Sequence, residues 1–173
     1  MSATATYVSF GQAHPPFLRL LLDVTLENER QQPRWFLLGN ASPATTGIDS
    51  VHVYNLGGQV IVGHFSGNGG FHALLLPAGA RITLEKFPLR IAGNPPAVIP
   101  FDVVTASAFT VDGEDAQAWF GMDATSSARA SVSAQPLESQ RDVKFARHTP
   151  DYRKAAVTLA EDEHIHLEVK VSA

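Results

Sequence analysis

The chain of 173 residues contains no cysteine. This absence excludes thiolate catalysis, zinc–thiolate sites and disulfide bonds. It also fits a reducing compartment, and residues 1–6 show no basic region followed by an apolar run, as a signal peptide would. We therefore expect a cytoplasmic protein, with secretion after removal of a leader as the open alternative.

Charged residues are scarce as well, at 17% of the chain, and the formal net charge is −4. Nucleic-acid binding requires clustered Lys and Arg against the phosphates. The basic residues here are scattered, and the densest patch, residues 147–154, also contains Asp151. Nucleic acid is therefore not an expected partner.

Long apolar runs are missing too, and residues 73–76 are typical of the longest ones. A membrane-spanning helix requires about 20 consecutive apolar residues. The sequence therefore predicts no membrane helix.

The most regular pattern present is an alternation with a period of two. In residues 18–27 the apolar side chains that share one face are Leu18, Leu20, Leu22, Val24 and Leu26. Polar residues such as Arg19 and Asp23 occupy the other face. This pattern predicts a strand with one buried face, which ends where Asn28 breaks the alternation.

Shorter segments of the same kind recur about every ten residues between turns rich in glycine and proline. The predicted strands cover residues 34–38, 50–54, 59–65, 70–76, 80–86, 98–111 with a break near Pro100, 116–120, 129–134, 155–159 and 165–171. The spacing predicts an all-β chain with little helix, folded as an antiparallel β-sandwich of immunoglobulin-like or jelly-roll type.

No linker divides the chain, so we expect a single domain over residues 1–173. Residues 123–149 are the richest in Ser, Ala, Gln and Arg. This composition predicts either a long polar loop or a polar edge hairpin.

His164 and His166 form the sharpest local pattern. In a strand, residues two apart point to the same side, so both imidazoles could bind one metal ion. A third ligand would have to come from another strand, for which the candidates are His52, His64 and His72. In the simpler interpretation the apolar residues that alternate with the pair face the core and leave both histidines on a solvated face. We expect no cofactor.

Two loops supply candidate binding residues. Trp119, Phe120 and Met122 end a short predicted strand beside residues 123–149, and exposed aromatic side chains anchor sugars, proteins or membrane surfaces. A buried core position is the alternative for these aromatics. Asn68 lies in the glycine-rich loop 66–70, and loops of this kind are often used for recognition.

These observations favour a non-enzymatic binding or assembly module that recognises a protein partner, a second copy of itself or a carbohydrate. One alternative is a metal-dependent or hydrolytic enzyme that uses strand histidines, for example with Ser66 beside His64 or His72. The other is membrane-surface binding through the aromatic loop at residues 119–122.

Several predicted strands are apolar on both faces. Leu74 and Leu76 alternate with Phe71, Ala73 and Leu75, so one of the two faces needs a second cover. We expect this cover to be either residues 123–149 folded back over the sheet or another subunit. The pattern therefore predicts a homo-oligomer or a protein partner.

Overall fold

The computed structural model describes residues 1–11, 17–39, 52–54, 60–65, 71–94, 97–111, 113–115, 131–134 and 157–172. All regular secondary structure in these ranges is β-strand, which confirms the predicted all-β class. The described residues include no helix that could span a membrane. The strands are β1 (Ser2–Gly11), β2 (Phe17–Glu27), β3 (Arg34–Gly39), β4 (His52–Tyr54), β5 (Val60–Phe65), β6 (Phe71–Leu76), β7 (Arg81–Ala92), β8 (Val98–Ala106), β9 (Ala108–Val111), β10 (Glu114–Asp115), β11 (Ser131–Ala134), β12 (Val157–Ala160) and β13 (Glu163–Lys170).

The strands form three sheets. Their orders are β1-β2-β7-β11, β13-β8-β3-β6-β5-β4 and β10-β9-β12. The described pairings are antiparallel except that of β11 with β7, which is parallel. Strand β11 lies inside the segment 123–149 that was predicted as a loop or edge hairpin, and the rest of that segment lies outside the described residues.

The alternation in β2 produces the buried face that it predicts. Leu20, Leu22, Val24 and Leu26 are fully buried. Strands β1 and β7 flank β2 on its two sides, so its backbone groups are paired along most of its length. Strand β1 is not among the predicted strands, because residues 2–6 alternate only small and hydroxyl side chains.

Strand β7 continues beyond the predicted end at residue 86 because it contains a bulge. The register with β2 shifts between Leu22 and Val24. Opposite the shift, Lys86 has a positive φ of 54° and donates its backbone N–H to Oδ1 of Asp23 at 2.9 Å. The extra residue moves the buried positions of β7 from even to odd numbers, so the sequence alternation breaks while the strand continues.

The two larger sheets share one hydrophobic core. Phe87 of β7 and Phe101 of β8 meet across it edge to face, with ring centroids 6.2 Å apart. Full burial of an apolar side chain of this size contributes about 1.5–3 kcal/mol. The large side chains that are fully buried in this core include Leu20, Leu22, Leu26, Phe36, Leu38, Leu74, Leu76, Ile82 and Phe101.

The small sheet covers part of the opposite face of β3. After β8 the chain bends at Ser107 and enters β9. Phe109 of β9 packs edge to face on Trp35, with centroids 5.1 Å apart, and both rings are buried. The cover over Trp35 therefore includes strand β9, which is neither residues 123–149 nor another subunit, the two predicted covers.

The predicted break near Pro100 is wrong, because β8 runs without interruption from Val98 to Ala106. Pairing of β8 with β3 involves only the part of β8 from Val103 onwards, whereas pairing with β13 extends over the proline. Among the described residues, one side of β8 thus has no strand partner at Pro100, and a residue without an N–H is tolerated at such a position.

Candidate binding cleft

The buried polar and charged side chains of the described residues are Asn28, Arg34 and Thr105. Strand order and register place all three at one end of the shared core. Asn28 directly follows β2, Arg34 opens β3, and Thr105 pairs with Phe36 of β3 and with Glu163 of β13. The core is therefore closed by a polar layer at this end.

Asn28 fixes the loop that leads from β2 to β3. Its Nδ2 lies 2.9 Å from the carbonyl oxygen of Gln32, 3.1 Å from that of Leu76 and 3.0 Å from that of Pro77, so these three acceptors share its two N–H donors. Its Oδ1 accepts the backbone N–H of Arg30 at 3.1 Å, which closes an Asx turn. The fully buried amide thus holds residues 30–32 against the turn between β6 and β7.

Arg34 connects three strands through one guanidinium group. Its Nε donates to Thr105 Oγ1 at 3.4 Å, and its Nη2 donates to the carbonyl oxygen of Glu161 and to Oε1 of Glu163, the latter at 3.3 Å. Nη2 of Arg30 lies 3.0 Å from the same oxygen of Glu163. One carboxylate oxygen therefore joins a buried guanidinium, 8% exposed, to an exposed one, 57% exposed.

An open cleft of about 480 Å³ lies beside these groups. We call it the polar cleft and define it by its lining residues, Arg30, Gln31, Gln32, Pro33, Arg34, Ser107, Glu161 and Glu163. Its wall at Ser107 is fixed to β12, because the backbone N–H and the hydroxyl of Ser107 both donate to the carbonyl oxygen of Ala160, at 3.0 and 3.1 Å. The cleft is thus lined by guanidinium, amide, hydroxyl and carboxylate groups, and hydrogen bonds fix its wall at Ser107.

The hydrogen-bond donors of Arg34 are only partly used. Among the described residues, acceptors are found for Nε and Nη2 and none for Nη1. A buried N–H group without an acceptor is costly, so a polar group that enters the cleft beside Arg34 would gain a hydrogen bond at little cost in ordering the protein.

The two predicted metal-site histidines lie on the outer face of β13. The side chains of His164 and His166 are 52% and 74% exposed, while Val169 on the other face is buried. Nε2 of His164 lies 3.1 Å from Oδ2 of Asp162, and Nδ1 of His166 contacts Oδ1 of Asp102. Both histidines thus lie on the solvent-exposed face of β13, the position given by the simpler interpretation.

The strand order separates this pair from the predicted third ligands. His72 lies on β6, His64 on β5 and His52 on β4, and β8 and β3 stand between β13 and β6. Three strand spacings amount to about 14 Å, so the backbone of β6 is too far away for one ion to be shared with His164 and His166. In the part of the chain that the structure describes, no group of three or more His, Asp or Glu side chains is placed to hold a metal ion.

The predicted binding residues Trp119, Phe120, Met122 and Asn68 lie outside the described residues.

The residues of the polar cleft are not among the binding residues predicted from the sequence. One signal was present in the sequence. Asn28 and Arg34 continue the alternating rows of buried residues in β2 and β3, so each is a polar side chain at a core-facing position. A polar residue at a core-facing position indicates a functional or strained site, although it does not show which residues form hydrogen bonds with it.

No protein-family model, no curated protein and no solved structure matches this chain.

Proposed function

We propose that this chain is a non-enzymatic binding module and that the polar cleft is its ligand site. We further propose that the domain is an antiparallel β-sandwich of immunoglobulin-like or jelly-roll type, in which the cleft lies at one end of the two layers. The shared core of the two larger sheets supports this arrangement. Loops at the ends of such layers commonly carry recognition sites.

The observation that carries the proposal is the cleft beside the buried Arg34, whose Nη1 has no hydrogen-bond acceptor among the described residues. Its walls are fixed by Asn28 on one side and by the bonds between Ser107 and Ala160 on the other. A cavity fixed in this way loses little conformational entropy when a ligand binds.

A segment of a protein partner is the favoured ligand. None of the described lining residues is aromatic, and aromatic rings are the usual platform for sugars. The side-chain amides of Gln31 and Gln32, together with the guanidinium groups, match the hydrogen-bonding groups of a peptide chain. A second copy of the chain is a special case of such a partner.

The test is a selection of peptides from a random phage-displayed library on the full chain. Binding of the selected peptides is then compared between the wild type and Gln31→Trp, which places a large ring in the cleft. Lys170→Trp is the matched control, because Lys170 is exposed at the far end of β13 from Glu163.

We expect Gln31→Trp to weaken binding at least about tenfold, a loss of about 1.4 kcal/mol, and Lys170→Trp to leave it unchanged. Equal affinity of both variants and the wild type would place the binding surface elsewhere and contradict the proposal. Light scattering of the purified chain shows whether the partner is a second copy. A mass of two or more subunits that reverts to one subunit in Gln31→Trp alone would identify self-association through the cleft.

A further inference from the structure

The polar cleft also indicates the chemistry of its ligand. Resting on the proposed function, we infer that the cleft recognises a carboxylate of the protein partner, either a C-terminal carboxylate or the side chain of Asp or Glu. Arg34 and Arg30 are the donors.

The first supporting observation is the position of Arg34 and of its Nη1 group. Arg34 is more than nine-tenths buried and lines the cleft, yet no described residue accepts a hydrogen bond from its Nη1. Arg34 lines the cleft, so an acceptor that enters it would meet this guanidinium, and a charged acceptor forms the strongest bond with it.

The second observation is the charge at the cleft. Arg30 and Arg34 both pair with one oxygen of Glu163, so a single negative charge is shared by two positive ones. Glu161 contributes its backbone carbonyl to Arg34, and no ion pair joins its carboxylate to either arginine among the described residues. The carboxylates of Glu161 and Glu163 balance the two arginines in formal charge, so a ligand carboxylate would be held by the local guanidinium donors and not by a net positive charge of the cleft.

The third observation is the shape of the donors. A guanidinium group is planar and presents parallel N–H bonds that fit the two oxygens of a carboxylate. Gln31 and Gln32 supply neutral amides on the loop between the arginines, suited to the peptide groups that flank such a carboxylate. The combination fits a peptide acid better than a bare inorganic anion.

The experiment is a chemical-shift titration of the ¹⁵N-labelled full chain with two matched pairs of probes. One pair is acetyl-Gly-Gly-Ala as the free acid and as the C-terminal amide. The other is acetyl-Gly-Glu-Gly-amide and the same peptide with Gln in place of Glu. Galacturonate and inorganic phosphate are titrated separately, as an acidic sugar and a non-carboxylate anion.

We expect the two acids to shift the amide signals of residues 30–34 and Ser107, and each neutral counterpart to bind at least about fivefold more weakly. Arg30→Ala and Arg34→Lys should each weaken acid binding by a similar factor, since lysine keeps the charge of Arg34 but loses the planar fork. Arg19→Ala, which removes an exposed arginine at the other end of β2, should leave it unchanged.

Equal binding of the acids and their neutral counterparts would overturn the inference, as would the absence of acid-selective shifts at the highest soluble concentration. Galacturonate or phosphate binding as tightly as the peptide acids would overturn the assignment to a peptide. If library-selected peptides bind in a manner sensitive to Gln31→Trp while free acids have no advantage, the proposed function stands and the carboxylate inference fails. If Gln31→Trp has no effect on selected peptides, the proposed function fails.

Discussion

Nη2 of Arg34 lies 3.3 Å from Oε1 of Glu163, although the two residues are 129 positions apart in the chain. Arg30 reaches the same oxygen from the solvent side. The pair joins the first residue of β3 to the first residue of β13 at the end of the core where the polar cleft opens.

Because Arg34 is buried and Arg30 is exposed, removal of the two side chains should have different effects on stability. We expect Arg34→Ala to lower the free energy of unfolding by about 2–4 kcal/mol, since it removes buried hydrogen bonds and the packing of the aliphatic stem. Arg30→Ala should cost less than about 1 kcal/mol, as exposed ion pairs usually do. Urea unfolding of both variants measures the difference, and equal losses would contradict the burial of Arg34.

Substitutions of Asn28 that remove its amide, or replace the amide with a carboxylate, should lower the free energy of unfolding. Asn28→Ala removes the buried amide donor of three carbonyl oxygens, of which that of Pro77 keeps the N–H of Ala80, and we expect a loss of about 2–4 kcal/mol. Asn28→Asp should cost at least as much at neutral pH, because a buried carboxylate then faces those carbonyl oxygens. Asn94→Asp, at an exposed bend, is the control and should change stability by less than about 0.5 kcal/mol. A similar result for both Asp variants would show that Asn28 is not buried.

Phe109 should contribute strongly to stability through its contact with Trp35. We expect Phe109→Ala to cost about 3–5 kcal/mol, the usual range for a buried phenylalanine. Phe10→Ala, at a position that is 45% exposed, should cost clearly less. A double-mutant cycle with Trp35→Leu should give a coupling of about 0.5–1.5 kcal/mol. No measurable coupling would mean that β9 does not cover β3 in solution.

Lys86 occupies a backbone conformation that favours glycine. Its φ is 54° and its side chain is exposed, so we expect Lys86→Gly to raise the free energy of unfolding by about 0.5–1 kcal/mol. Lys170→Gly, in the regular strand β13, should lower it by a similar amount. Thermal and urea unfolding of the two variants check the opposite signs, and a loss in both would contradict the bulge.

Removal of divalent metals should leave stability almost unchanged. The described residues include no cluster of three or more His, Asp or Glu side chains that could hold an ion, and two histidines alone bind a metal weakly. We expect a chelator to shift the melting temperature by less than about 2 °C. A fall of several degrees would show a structural metal and would restore the metal-dependent alternative.

The sequence by itself determined the class of this protein and the sidedness of its regular strands. A period of two in residues 18–27 is sufficient to predict β2 and its buried face, because side chains on a strand alternate whatever the strand packs against. The same alternation places His164 and His166 opposite the core-facing residues of β13, and the structure shows it.

Only the tertiary structure decided which strands are neighbours. The separation of β13 from β6, the cover of Trp35 by Phe109 and the meeting of Arg34 with Glu163 all depend on sheet order and register between distant segments. A local pattern contains no information on such pairing, because many strand orders bury the same faces. The bulge at Lys86 shows the same limit within one strand, since it breaks the sequence period while Asp23 satisfies the displaced N–H and the strand continues.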